Sequence, residues 1–213
     1  MRRWHLAQQG LKSVFLVALV LVSCSAPGSD NPEEGCGGTE ATVSCLNIIS
    51  VVPTSGGGPS SNVDAARHFC QDVVTGEITG AEDALTDHNA DITFSNTPFP
   101  TARGALDIRV IGYSVSYRLN QCPRTARGCP PLPGFSAQSD SLLVPDGSSV
   151  TRTFPLVPLR VKNEYVASGG ELLFPPPSYT ALYVFTAQTT RFNDTFTVQA
   201  SAEFTIADFD TCQ

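Results

Sequence analysis

The chain has 213 residues, 41% of them hydrophobic and 15% charged, with 17 glycines, 16 prolines and seven cysteines. Its length suits one domain of ordinary size. A formal net charge of −7 argues against a nucleic-acid partner, because phosphate recognition rests on clustered Lys and Arg.

Arg2, Arg3, His5 and Lys12 open the chain without a carboxylate, and residues 14–22 are an unbroken apolar run. Such a run makes roughly 14 Å of helix, whereas a membrane span needs about 20 residues. A charged start, a short apolar stretch and small residues at its end read as an export signal over residues 1–23. The last residues of this segment, Leu21-Val22-Ser23-Cys24, resemble the lipobox of bacterial lipoproteins. The resemblance implies that Cys24 carries a diacylglycerol, commonly with a third, amide-linked chain, and becomes the mature N-terminus. Stable anchoring takes more than one chain, at about 0.8 kcal/mol per buried CH₂. Ser25, rather than an aspartate, follows the cysteine. In lipoproteins of two-membrane bacteria this implies transfer to the outer membrane. Removing the signal takes away Arg2, Arg3 and Lys12, leaving ten basic against twenty acidic residues, a charge of −10, and Lys162 as the one lysine. That acidity reads as solubility.

Residues 24–40 are mostly Ser, Pro, Gly, Asp and Glu, and read as a flexible tether ahead of a domain over 41–213. Assigning Cys24 to lipid leaves Cys36, Cys45, Cys70, Cys122, Cys129 and Cys212. In an oxidising compartment these read as three disulfides, with many connectivities open. The easiest pair is Cys122 with Cys129, which bracket a turn-rich segment. Cys212 is expected to tie the C-terminal end back to the N-terminal half. No Cys-x-x-Cys or paired histidine supports a metal instead, and no cofactor is expected.

Residues 46–52 are a short apolar run ended by Pro53, and residues 54–62 are a loop by composition. Residues 63–90 carry two readings: a short helix over 63–74 with one helical turn at 82–85, or an irregular edge. Residues 91–96 read as a strand with Ile92 and Phe94 on one face. The strongest strand is 106–119. Leu106, Ile108 and Val110 share one face, and Tyr113, Val115, Tyr117 and Leu119 form the next apolar set. The phase slips at Ile111-Gly112, as a β-bulge requires. After the turn Pro145-Asp146-Gly147, residues 150–156 read as a strand whose Pro155 favours an edge. Residues 159–166 read as a further strand. Residues 180–192 begin apolar on both faces, as a central strand does, and Asn193-Asp194 offers a tight turn. Phe196, Val198, Ala200, Ala202, Phe204 and Ile206 then alternate with polar residues. Residues 180–207 are the clearest hairpin.

About seven to nine strands, little helix and no repeat point to an all-β fold, an antiparallel β-sandwich. The final hairpin resembles the last two strands of immunoglobulin-like and fibronectin-like domains, which implies an immunoglobulin-like sandwich stabilised by disulfides. Ile92, Ser95-Asn96, Tyr113-Ser114-Val115 and Val144-Pro145-Asp146-Gly147 also resemble the small sandwich of late-embryogenesis-abundant stress proteins. The whole chain looks like exported bacterial lipoproteins built on one such sandwich. None of these resemblances implies an active site.

No Gly-x-Ser-x-Gly elbow, His-Glu-x-x-His, phosphate loop or dinucleotide fingerprint occurs. Asp87, Asn89 and Asp91 set oxygen ligands at alternate positions, like the start of a calcium loop. Ile92 stands where that loop needs glycine, and Pro98 where it needs glutamate. The preferred reading is a polar turn leading into a strand. His68, two residues from Cys70, has no partner ligands in view. Among the tyrosines, Tyr113 and Tyr117 fall in the apolar phase of their strand. Tyr179, after three prolines, is the candidate for ligand contact, and the one tryptophan, Trp4, lies in the signal. The functional expectation is an envelope lipoprotein held by membrane lipid through Cys24. It presents its sandwich to an envelope protein partner or surface at exposed sheet edges, without catalysis. A glycan or small-ligand module built on loops 54–62, 123–135 and 167–179 ranks second, and an envelope hydrolase last.

Overall fold

The computed structural model describes residues 44–55, 58–66, 69–71, 75, 78–82, 85–98, 106–124, 128–170 and 173–209. The signal, Cys24, the tether with Cys36, the boundary at 41, His68 and Cys212 lie outside the described residues, as does the side chain of Cys70.

In chain order the elements are β1 (Ser44–Ser55), β2 (Gly58–Pro59), β3 (Asn62–Asp64), β4 (Phe69–Gln71), β5 (Ile78–Glu82), β6 (His88–Pro98), β7 (Ile108–Gln121), β8 (Phe135–Val144), β9 (Ser149–Val157), helix α1 (Leu159–Ala167), β10 (Ser178–Thr189) and β11 (Thr195–Ala207). Sheet 1 has the order β2-β1-β6-β9 and sheet 2 the order β3-β11-β10-β7-β8, while β4 and β5 pair separately. The long strands pair antiparallel, and β3 runs parallel to β11. The inner faces of both sheets share one core, so the fold is an all-β, two-sheet sandwich. Phe94 and Phe154 of sheet 1 meet Phe185 and Tyr113 of sheet 2 edge-on, with centroids 5.0 to 5.1 Å apart. Each such pair adds about 1 kcal/mol beyond its buried area. No helix among the described residues is long and apolar enough to cross a membrane.

The bulge expected at Ile111-Gly112 is present. Pairing of β7 with β10 jumps from Val110↔Ala187 to Gly112↔Thr186, and pairing with β8 jumps from Val110↔Leu142 to Gly112↔Gln138. Ile111 thus drops out of both ladders, and Ile108, Val110 and Val115 all reach the core. β9 is an edge strand of sheet 1, as Pro155 suggests. Its carbonyls at Pro155 and Leu156 accept hydrogen bonds from the hydroxyls of Tyr183 (3.0 Å) and Tyr117 (2.6 Å). Burial raises both phenol pKa values above the ordinary value, so these cross-sheet donors stay protonated. The turn into β9 is closed by Ser148 N–H donating to Pro145 O, with Gly147 at φ +65, a conformation that glycine adopts without strain. Asn96 Nδ2 donates to Leu106 O and Val144 O, stitching β6 to the start of β7 and the end of β8. The Cys122–Cys129 disulfide closes the segment after β7, and Cys45 is also disulfide-bonded.

The final hairpin pairs without a slip from Ser178↔Thr205 to Gln188↔Thr195. Its connection spans residues 190–194 rather than a tight pair, with Asn193 at φ +61. Residues 159–166 form α1 instead of a strand. Val161, Lys162 and Tyr165 are its buried residues, and Arg160 pairs with Glu164 at 2.6 Å, one helical turn apart. Within 63–90 the described residues hold the short strands β3, β4 and β5 and the start of β6, while residues 67–68, 72–74, 76–77 and 83–84 lie outside the described residues. β1 continues through Pro53, whose carbonyl accepts Ser60 N–H on the side away from β6. The missing proline donor therefore removes no bond to β6.

Candidate functional site

Ala90, Ile92 and Phe94 of β6 face the core, so alternation turns Asn89, Asp91 and Thr93 to the outer face of sheet 1. Register places Ser50 and Thr151 on either side of Thr93, Val52 and Thr153 on either side of Asp91, and Thr54 opposite Asn89. Directly opposed residues of an antiparallel pair share a face. The result is a grid of short polar side chains across three strands. It floors a cavity of about 690 Å³, whose inner end is lined by the buried Asp64, His88 and Lys162 and which the exposed Asp87 also lines. Thr153 Oγ1 donates to Asp91 Oδ1 at 2.6 Å, and the hydroxyls of Thr93 and Thr151 lie 2.8 Å apart.

The inner end is buried: Asp64 is 7% exposed, and His88 and Lys162 are each 3% exposed. Asp64 Oδ1 accepts the N–H groups of Ala66 and Phe209. His88 Nε2 donates to Ser60 O at 2.9 Å, which fixes the proton on Nε2 in the neutral ring. Burial lowers the His88 pKa, the Ser60 bond opposes this, and the Lys162 charge lowers it further. Asp87 Oδ1 accepts Leu159 N–H at 2.7 Å. Pro158, at the start of α1, offers no side-chain cap, so Asp87 supplies one from a distant segment and sets a negative charge at the helix N-terminus.

Asp87, Asn89 and Asp91 all line this cavity. Among the described residues no group of three His, Cys, Asp or Glu side chains is placed to hold a metal. β6 also begins at His88, earlier than the strand expected from Asp91. Tyr179 is displaced from its expected role. It lies on β10, is 1% exposed, stacks on Phe204 and donates its hydroxyl to Pro130 O at 2.8 Å. Burial pushes its pKa up to about 12, and no open ring face is left for a sugar. Of the three loops considered, 54–62 borders the cavity, through Thr54, Ser55, Gly58 and Pro59. Thr93, Thr151 and Thr153 stand in the polar phase of strands whose apolar phase faces the core. His88 lies inside the polar cluster at 87–91, whereas Lys162 carries no motif that marks it for the cavity.

A second hollow, of about 430 Å³, indents the outer face of sheet 2 at the β7 bulge, between Ile111 and Gly112, Ser136 and Gln138 of β8, and Val184 of β10. No protein-family model matches the chain, and no curated protein does. Among solved structures, a protein from Archaeoglobus fulgidus is similar at 14% identity, over 66% of this chain and 94% of that one, with a TM-score of 0.34.

Proposed function

We propose that the chain is a lipid-anchored envelope protein, held at the outer membrane through Cys24, whose immunoglobulin-like sandwich works by contact with an envelope protein partner rather than by catalysis. The lipobox-like Leu21-Val22-Ser23-Cys24 and the tether supply the anchor. The Cys122–Cys129 bond suits an oxidising compartment. The observation that carries the contact reading is the hollow on sheet 2. Ile111 of β7 and residues 139–141 of β8 both leave the ladder there, so the face is indented beside Val184. Leu182, 38% exposed, lies on the same side of β10. Ile111 and Val184 beside the polar Ser114, Ser136 and Gln138 give the mixed makeup of a protein contact. The long edges are less inviting. Pro155 blunts β9 and the bulge blunts β8, so the partner meets a face instead of adding a strand.

Two experiments on the full chain in native membranes test this. Cys24→Ala is expected to abolish fatty-acid labelling, and retained label would remove the anchor. A photo-reactive residue at Gln138 is expected to give one discrete protein adduct that the same residue at exposed Arg160 does not. A diffuse pattern, or identical adducts at both positions, would remove the contact site.

A further inference from the structure

We infer that the outer face of sheet 1 is a binding face for a neutral, hydroxyl-rich ligand, a glycan segment laid across β1, β6 and β9. This site is separate from the hollow on sheet 2 and stands whether or not a protein docks there.

Size comes first. From β1 to β9 is two strand spacings, roughly 10 Å, and from Asn89 to Thr93 is roughly 13 Å along β6. The cavity of about 690 Å³ is within the usual range for ligand sites, about 300–1,000 Å³.

The hydrogen-bonding groups come next. Thr153 holds Asp91 by Oδ1. The other carboxylate oxygen takes no partner among the described residues and is presented, already oriented, to a ligand hydroxyl. Thr93 and Thr151 spend one hydrogen between them, which leaves a donor and acceptors for the ligand. Asn89 offers both kinds of group from one amide. Val52, 36% exposed, stands opposite Asp91, and with Pro59 supplies a small apolar patch for the C–H face of a sugar ring.

Other ligand classes meet obstacles in the same cavity. An anion meets Asp87 and Asp91. A polycation finds two of the three carboxylates already committed, Asp64 to the N–H groups of Ala66 and Phe209 and Asp87 to that of Leu159. An apolar ligand finds little beyond Val52 and Pro59. A metal ion finds no group of three His, Cys, Asp or Glu side chains placed to hold it among the described residues. A neutral polyol meets none of these obstacles.

The test is a glycan array probed with the full chain in a detergent lacking a sugar headgroup, followed by titration of the best oligosaccharide. At least one saturable hit is expected. Asp91→Ala should weaken it roughly tenfold or more, since it removes a hydrogen bond to a charged acceptor. Thr151→Val should weaken it a few-fold, and Glu203→Gln, at an exposed position of β11, should leave it unchanged, all with an unaltered Tm. An array without hits, a hit indifferent to Asp91→Ala, or saturable binding of spermine in place of any glycan would overturn the inference.

Discussion

His88 shows how much one buried side chain commits. Its pKa lies below the ordinary 6.5 because burial disfavours the charged ring and Lys162 adds to the penalty. As pH falls below that ordinary value, the unfolded chain takes up the proton before the folded one does. The stabilising contribution is therefore complete above about 6.5 and is lost as pH falls through the lowered folded value. Urea midpoints should drop on acidification below neutrality, and His88→Gln should flatten that decline. Asp87 is the second such residue. Through Leu159 N–H it caps a helix that its own sequence leaves uncapped, and Asp87→Ala should cost about 1 kcal/mol in urea unfolding. Asp87→Asn, which keeps the acceptor and loses only the charge, should cost less.

At the scale of elements, parity made some features legible and hid others. The bulge in β7 was readable because Val110 and Tyr113 are an odd number of residues apart, so both cannot point inward on a regular strand. The last hairpin was readable because its apolar positions alternate without a break. Helix α1 was not. Val161 and Tyr165, four residues apart, satisfy a period of two and a helical turn equally well. Pro158 fits a strand end as readily as a helix start, and the acid that caps the helix lies 72 residues away. The polar grid on sheet 1 was equally hidden, because register between β1, β6 and β9 is set by three remote segments. Nor does a glycine's position reveal its reason. A Cβ at Gly112, inside the bulge, would sit at an ordinary 3.5 Å from Ala137 O. A Cβ at Gly134, just before β8, would sit 2.8 Å from the backbone oxygen of Val115. Gly134→Ala should therefore cost about 2 kcal/mol as β8 is pushed from β7, while Gly112→Ala should cost less than about 1 kcal/mol. Urea midpoints of the two variants decide this.

At the scale of the whole molecule, the sandwich has one aromatic seam and two unlike outer faces. Phe185 touches Phe94 and Phe154 across the seam, and both sheets lose a neighbour if it goes. Phe185→Ala should cost about 3–5 kcal/mol, a large part of the stability typical of one domain, measured by urea unfolding. Outside the seam, sheet 2 is indented and partly apolar, while sheet 1 carries hydroxyls and carboxylates. The lysine at the inner end of the sheet 1 cavity has a consequence of another kind. Lys162 is the one lysine beyond Lys12, and it is 3% exposed. Residues 44–209 thus offer reagents that acylate side-chain amines a single target, and folding hides it. Timed acylation read by mass becomes a clock for α1: each label counts an opening that lets Lys162 out. The native protein should label far more slowly than it does in urea. Labelling at the rate of a free amine would mean that the helix spends much of its time away from the sheets.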